Sequence, residues 1–193
     1  MLKNQYVIKS IMITGLAILA FSCQSYDAKK EVETTGEKSM KQIPEIKKAI
    51  CVLSPTMNNH VTGIITFTQT DNGVLVVADI QGLTEGKHGF HIHQYGDCSG
   101  EDGKTTGGHF NPLNKKHGAP GDVERHVGDL GNVIADASGK AHLEMEDHII
   151  QLNGPNSIIG RAIIVHAGED DFTTQPTGNA GARVASGVIG IAK

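Results

Sequence analysis

Six of the ten histidines in this chain fall between His88 and His126. That stretch reads H-G-F-H-I-H-Q-Y-G-D-C, then G-G-H-F-N-P-L-N-K-K-H-G-A-P-G, then R-H-V-G-D-L-G. Neutral imidazole is the commonest protein ligand for transition metals, so this concentration points to metal binding. His91 and His93 are two residues apart, and on a strand their rings would leave the same face about 7 Å apart, close enough to converge on one ion. His109, His117, His126 and Asp129 lie on a segment punctuated by Gly107, Gly108, Pro112, Gly118, Pro120 and Gly121. Three imidazoles and a carboxylate can satisfy a tetrahedral zinc. His166 ends the apolar run Ile163-Ile164-Val165, from which a strand would deliver it rigidly, and it could complete a site with His91 and His93. A site built only of imidazoles suits Cu(II), whose tetragonal preference differs from that of the loop set. Spacing alone leaves the identity of the metals open. His60, His142 and His148 read as structural, and His88, beside Gly89, reads as a loop fastener.

The elements that would position these groups are strands. Val61, Gly63, Ile65 and Phe67 alternate with Thr62, Ile64, Thr66 and Thr68, the pattern of a half-buried strand. Asp71-Asn72-Gly73 supplies a tight hairpin, because Asn-Gly tolerates positive φ, and Val74, Val76, Ala78 and Ile80 alternate back. Asn132–Ala135 and Ala141–Glu146 flank the turn-rich Asp136-Ala137-Ser138-Gly139-Lys140. With Ile50–Leu53, His88–Gln94, Ile158–His166 and Arg183–Ala192, eight strands are predicted and no strong amphipathic helix. The expected class is all-β, an eight-stranded Greek-key barrel or sandwich. A segment of little periodicity runs from Gly96 to Leu130, and a loop of that length is expected to be functional, with bound metal supplying its cross-links.

The chain has 193 residues with 24 glycines, well above the usual ~7 % share, which favours a turn-rich β fold in one domain. From Ala49 to Lys193 there are 9 Lys and Arg against 16 Asp and Glu, a net charge of −7, so nucleic acid is excluded as an expected partner. An anionic substrate would need a local positive funnel. At the start, Lys3 and Lys9 precede the apolar run Ile11–Phe21, too short to span a bilayer but fitting a signal-peptide core. Leu19-Ala20-Phe21-Ser22-Cys23 resembles a bacterial lipobox, in which Cys23 becomes the lipidated N-terminus; the alternative is ordinary secretion. Residues 1–22 are thus expected to be a lipoprotein-type signal, 23–48 a tether too poor in large apolar residues to bury a core, and 49–193 the folded domain. Membrane contact would be through the N-terminal lipid, with the domain facing the periplasm or cell surface, or soluble in the periplasm under the alternative. Cys51 reads as a small core residue.

The segments G-F-H-I-H-Q-Y-G-D, G-G-H-F-N-P, K-K-H-G, E-R-H-V-G-D-L-G-N-V, I-I-G-R-A-I-I-V-H and G-N-A-G-A-R-V-A-S-G-V-I-G-I-A closely resemble the copper/zinc superoxide dismutase family, in order, over about Ala49 to Lys193. The resemblance implies copper ligands His91, His93, His109 and His166, and zinc ligands His109, His117, His126 and Asp129, with His109 bridging the two ions. It implies that Asp170 orients His91 and His117, and that Arg183 attracts and hydrogen-bonds the superoxide anion. The implied reaction is dismutation of superoxide to dioxygen and hydrogen peroxide by alternate reduction and reoxidation of copper, with His109 supplying a proton. Tyr95, Gly96, Ile159, Gly160, Val188 and Ile191 resemble the contact patch of the dimeric members, implying a homodimer.

Two other functions compete. A copper carrier on the same fold would be expected to lack His166, Asp129 or Arg183, and all three are present. A structural surface lipoprotein that uses zinc to fix a loop would not need the His91, His93 and His166 set. Two departures from the family stand out. The segment Ala167–Thr177 is shorter than in many members. Ser186 stands where the family usually has the cysteine that would pair with Cys98, implying that Cys98 lacks its usual disulfide partner.

Overall fold

The structure, a computed structural model, describes residues 44–193. The leader, Cys23 and most of the tether lie outside the described residues. Eight strands form: β1 (Lys48–Pro55), β2 (Thr62–Gln69), β3 (Val74–Gln81), β4 (Gly86–His93), β5 (Asp129–Ala135), β6 (Lys140–Asp147), β7 (Ala162–His166) and β8 (Arg183–Ile191). One 3-10 turn, Lys104–Thr106, interrupts the long β4–β5 connection. The strands close into an antiparallel barrel in the order β1-β2-β3-β6-β5-β4-β7-β8, a Greek-key arrangement in which β6 rather than β4 follows β3. Closure leaves no unpaired sheet edge.

Local sequence accounts for the early strands. Val61, Ile65 and Phe67 are buried while Ile64 is exposed, and Val74, Val76, Ala78 and Ile80 fill the same interior from β3. Thr70 N–H donates to Gly73 O, closing the β2–β3 hairpin at the Asp71-Asn72-Gly73 turn. Cys51 lies fully buried in this core, where burial pushes its thiol up to about 12.

Alternation fails in two strands, and both failures concern the site. His88 to His93 of β4 and all of β7 are buried on both faces. Phe90, Ile92, Ile163 and Val165 belong to the core cluster, whereas His91, His93 and His166 alternate with them onto the opposite face. That outer face is dry because the β4–β5 and β7–β8 loops fold over it. The predicted strand Ile158–His166 is shorter than expected: Gly160 adopts φ 77°, turning the chain, and pairing begins at Ala162. β1 begins at Lys48, before the expected Ile50.

Cys51 and Cys98 are both free thiols. Burial pushes the half-buried Cys98 thiol up, against a hydrogen bond with Ser186. The two side chains are therefore neighbours. A Ser186→Cys variant is predicted to form a bridge with Cys98 under oxidising conditions and to stabilise the metal-free domain by about 2–4 kcal/mol, raising its melting temperature by roughly 5–15 °C. An unchanged melting temperature, with two thiols titrating in excess of Cys51, would contradict this.

Candidate metal centre

β4 supplies His91 and His93, β7 supplies His166, β5 supplies Asp129, and the covering loops bring His109, His117, His126 and Asp170. His93 and His109 form a β-bridge that stitches the long loop onto the end of β4. Two four-residue sets result: His91, His93, His109 and His166, and His109, His117, His126 and Asp129. In each, the potential ligand atoms lie within 4.8 Å of one another, and all members are buried.

The hydrogen bonds decide which ring nitrogens remain available. His91 Nε2–H donates to Asp170 Oδ2 at 2.7 Å, leaving Nδ1. His93 Nδ1–H donates to Gly107 O at 2.9 Å and His166 Nδ1–H to Gly181 O at 3.1 Å, leaving both Nε2 atoms. His117 Nε2–H donates to Asp170 Oδ1 at 2.8 Å, leaving Nδ1. His109 Nδ1 lies 2.7 Å from Asp129 Oδ1, leaving Nε2. These five remaining nitrogens, His91 Nδ1, His93 Nε2, His109 Nε2, His117 Nδ1 and His166 Nε2, are buried without a hydrogen-bond partner. Buried polar atoms without partners are rare enough to require an explanation.

The second set tests the fit of an ion directly. The Nδ1 atoms of His109, His117 and His126 lie 2.7, 3.0 and 3.2 Å from the single oxygen Asp129 Oδ1, and the 3.0 Å contact does not have the direction of a hydrogen bond. One carboxylate oxygen crowded by three ring nitrogens is a poor hydrogen-bond cluster. As a coordination set it is reasonable: ligands at about 2.0–2.1 Å on a tetrahedron stand about 3.3 Å apart, and His109 Nδ1 and His126 Nδ1 are separated by 3.4 Å. The first set, imidazole only, fits copper by donor type. His109 belongs to both, with its ring centroid 4.0 Å from that of His91 and 5.2 Å from that of His117.

Asp170 holds both sets in register, each of its oxygens accepting from a histidine of a different set. Its backbone is clamped by Asn132, whose side chain donates to Asp170 O at 2.9 Å and accepts from Asp170 N–H at 2.8 Å. Gly178, at φ 65°, comes so close that an added Cβ would lie 1.8 Å from Asp170 Oδ1, so only glycine leaves room for the carboxylate. Arg125 is buried beside the second set. It donates to His126 O and Asp129 O and pairs with Asp147, whose other oxygen accepts from Ile149 N–H and Ile150 N–H. Arg183 stands opposite His166 across β7 and β8. Its guanidinium donates to Gly103 O, Thr106 Oγ1 and Gly107 O, the last being the acceptor of His93 Nδ1–H as well. Three of five donors are used, so two remain for a ligand.

Electrostatics divide the groups. Burial drives His91 and His93 down, and drives His109 to about 4 and His166 to about 3, keeping these rings neutral as ligands must be. Burial also opposes charge on His117, but Asp129 and Asp170 overcome it and raise that ring to about 9. Burial would raise Asp129, yet the ring nitrogens of His109, His117 and His126 crowded about its Oδ1 hold its carboxyl well below the ordinary range.

All the sequence-derived ligands therefore converge, together with Asp170 and Arg183. His88 Nδ1–H donates to His166 O at 2.8 Å. His142 pairs with Asp79 and His148 with Asn72 O, both on the surface. Sequence reading did not single out Arg125, Asn132, Asp147, Gln175 or Gly178. The glycine in G-N-A-G and the arginine in E-R-H were visible within recognised motifs, but the amides carried no signal.

Comparison with known proteins adds an independent finding. Residues 61–189 match the family model for copper/zinc superoxide dismutase (SODC). The chain is 48% identical over 158 residues to the extracellular superoxide dismutase [Cu-Zn] of Brugia pahangi, covering 77% of this chain and 78% of that protein. It is 52% identical over 154 residues to superoxide dismutase [Cu-Zn] of Onchocerca volvulus, covering 74% of this chain and 95% of that one. Among solved structures, the crystal structure of the clock protein EA4 superposes with a TM-score of 0.72 at 47% identity, over 78% of this chain and 98% of that one.

The metal-free domain is predicted to be acid-labile. His109 and His166 have folded-state values below the ordinary 6.5, so the unfolded chain takes up their protons first, and stability falls from about pH 6.5 down to about pH 3–4. His117, raised to about 9, contributes fully below pH 6.5 and loses that contribution as pH rises through 9. Thermal melts of chelator-treated protein should show a falling melting temperature between pH 7 and 4.5; a flat profile there would contradict the assignment.

Proposed function

The chain belongs to the copper/zinc superoxide dismutase family and is an enzyme of that kind with copper and zinc as cofactors; from that premise we propose how its own residues hold the ions and carry the reaction. His91 Nδ1 and the Nε2 atoms of His93, His109 and His166 would hold copper. The Nδ1 atoms of His109, His117 and His126, with Asp129, would hold zinc, and His109 would belong to both sets. The observation that carries this reading is the set of five buried, partnerless ring nitrogens grouped about one shared ring. When bound, copper supplies the electron acceptor and donor that converts one superoxide to dioxygen and a second, with two protons, to hydrogen peroxide, while zinc supplies fixed positive charge and a loop cross-link.

The protein's part is orientation, charge and proton handling. Asp170 holds His91 and His117 in one tautomer each, and such supporting carboxylates increase ligand basicity. His109, whose Nδ1 lies in the zinc set, would be the ring whose otherwise partnerless Nε2 could hold a proton and pass it to the reduced substrate. Arg183 presents its two remaining donors beside His93, supplying a positive spot in a domain whose net charge is −7. The carrier reading is less well supported, because every group needed for turnover is present.

The same premise extends to location and assembly. The leader with its lipobox-like Cys23 supports export and anchoring by lipid on the outer side of a membrane, as in a bacterial lipoprotein, and the relative from Brugia pahangi is named extracellular. Maturation attaches more than one acyl chain, which makes such an anchor stable. Exposure of Tyr95 at 53%, Val188 at 44% and Ile191 at 64% supports pairing of two copies through that apolar face.

Purified protein is predicted to hold one copper and one zinc per chain and to accelerate superoxide decay only while copper is bound. Tight metal binding without acceleration would favour the carrier. Arg183→Ala should lower the rate about 10-fold at low ionic strength with both metals retained, and Arg183→Lys should lose less. An unchanged Arg183→Ala rate would remove the steering role. The wild type should also partition into detergent, and Cys23→Ala should not; sedimentation at micromolar concentration should give a dimer. Free solubility of the wild type, or monomer alone, would overturn the corresponding assignment.

A further inference from the structure

The short loop between β7 and β8 carries a contact that the ligand sets do not explain. Gln175 Oε1 accepts from His117 N–H at 2.9 Å, and Gln175 Nε2 donates to His117 O at 2.9 Å. A side-chain amide is thus paired edge to edge with the main chain of one residue, as a neighbouring strand would be. Among the described residues, His117 makes no other main-chain hydrogen bond. His117 sits in an irregular, glycine-rich segment with no strand of its own, and beyond the bonds of its neighbours, Lys116 N–H to Glu124 and Gly118 N–H to Asp129, only Gln175 fixes its own N–H and C=O.

The consequence passes through the side chain. His117 Nε2–H donates to Asp170 Oδ1, Asp170 Oδ2 accepts from His91 Nε2–H, and Asn132 clamps the Asp170 backbone in the same two-point manner. Both ends of the His117–Asp170 contact are therefore held by amide clamps, one from β5 and one from the loop. We propose that Gln175 is a positioning residue that presets His117 for the ion held with His109, His126 and Asp129, so that the shortened loop acts as a strap on that set. This rests on the two-metal reading above. Gln175 is itself exposed, and water competes for its bonds, so its effect should be moderate rather than decisive for folding.

The test is zinc release from the copper- and zinc-loaded full chain into excess chromogenic chelator, together with visible spectra after cobalt(II) replaces zinc. Gln175→Ala removes both bonds. Gln175→Glu keeps the acceptor for His117 N–H but loses the donor to His117 O. Thr174→Ala, in the same loop but bonded to Asp171, is the comparison. Release should be about 10-fold faster in Gln175→Ala, less so in Gln175→Glu, and unchanged in Thr174→Ala. The cobalt d–d bands should broaden in Gln175→Ala alone. Wild-type release from Gln175→Ala, or equal acceleration in Thr174→Ala, would overturn the inference while leaving the two-metal reading standing. A wild type that holds no zinc would overturn both.

Discussion

Five imidazole nitrogens are held out of water with nothing among the described residues to bond, and the rest of the domain is arranged around that cost. An unsatisfied buried polar atom costs about 1–3 kcal/mol, so the five together approach the entire net stability of an ordinary domain, about 5–15 kcal/mol. Metal binding offsets it, since structural zinc sites contribute on the order of 10 kcal/mol or more. The barrel makes the arrangement possible by dividing labour between strand faces. Phe90, Ile92, Ile163 and Val165 fill the interior, while His91, His93 and His166, one residue along, project onto an outer face roofed by loops. The same rigid backbone serves the core and the centre.

Roofing that face requires long irregular segments to hold their shape. Arg125 and Asp147 form a buried ion pair, and the guanidinium also satisfies the carbonyls of His126 and Asp129. Buried pairs of this kind are weak sources of net stability, but removing one partner strands the other at a cost of about 3–5 kcal/mol. The pair therefore specifies a conformation more than it stabilises one. Asp170 plays the corresponding part for the short loop, and its position depends on Asn132 behind it and Gly178 beside it. With Ser186 facing Cys98, no disulfide among the described residues shares this task, and the burden falls on hydrogen bonds, the ion pair and metal.

Much of this was legible in the residues. Alternation marked β2 and β3 because each has one face in the core and one toward solvent. It misjudged the start of β7, because Ile158-Ile159-Gly160-Arg161 carries no period to separate it from the apolar strand that follows, and the turn at Gly160 depends on backbone conformation. The ligand histidines were visible as residue types at strand and loop spacing. Their division into two sets sharing His109 was implied by family resemblance, and the coordinates bring the same two groups together. The clamps by Asn132 and Gln175 were not legible. Amides of this kind are ordinary surface residues until the fold places a lone main-chain N–H and C=O within their reach.

The central claim is that one chain holds two different ions on either side of His109. Anomalous diffraction from crystals of the metal-loaded protein, recorded on both sides of the copper and zinc absorption edges, tests it most directly. The account predicts copper among His91, His93, His109 and His166, and zinc among His109, His117, His126 and Asp129. A single ion, the same element at both positions after loading with both metals, or density away from His109 would contradict it.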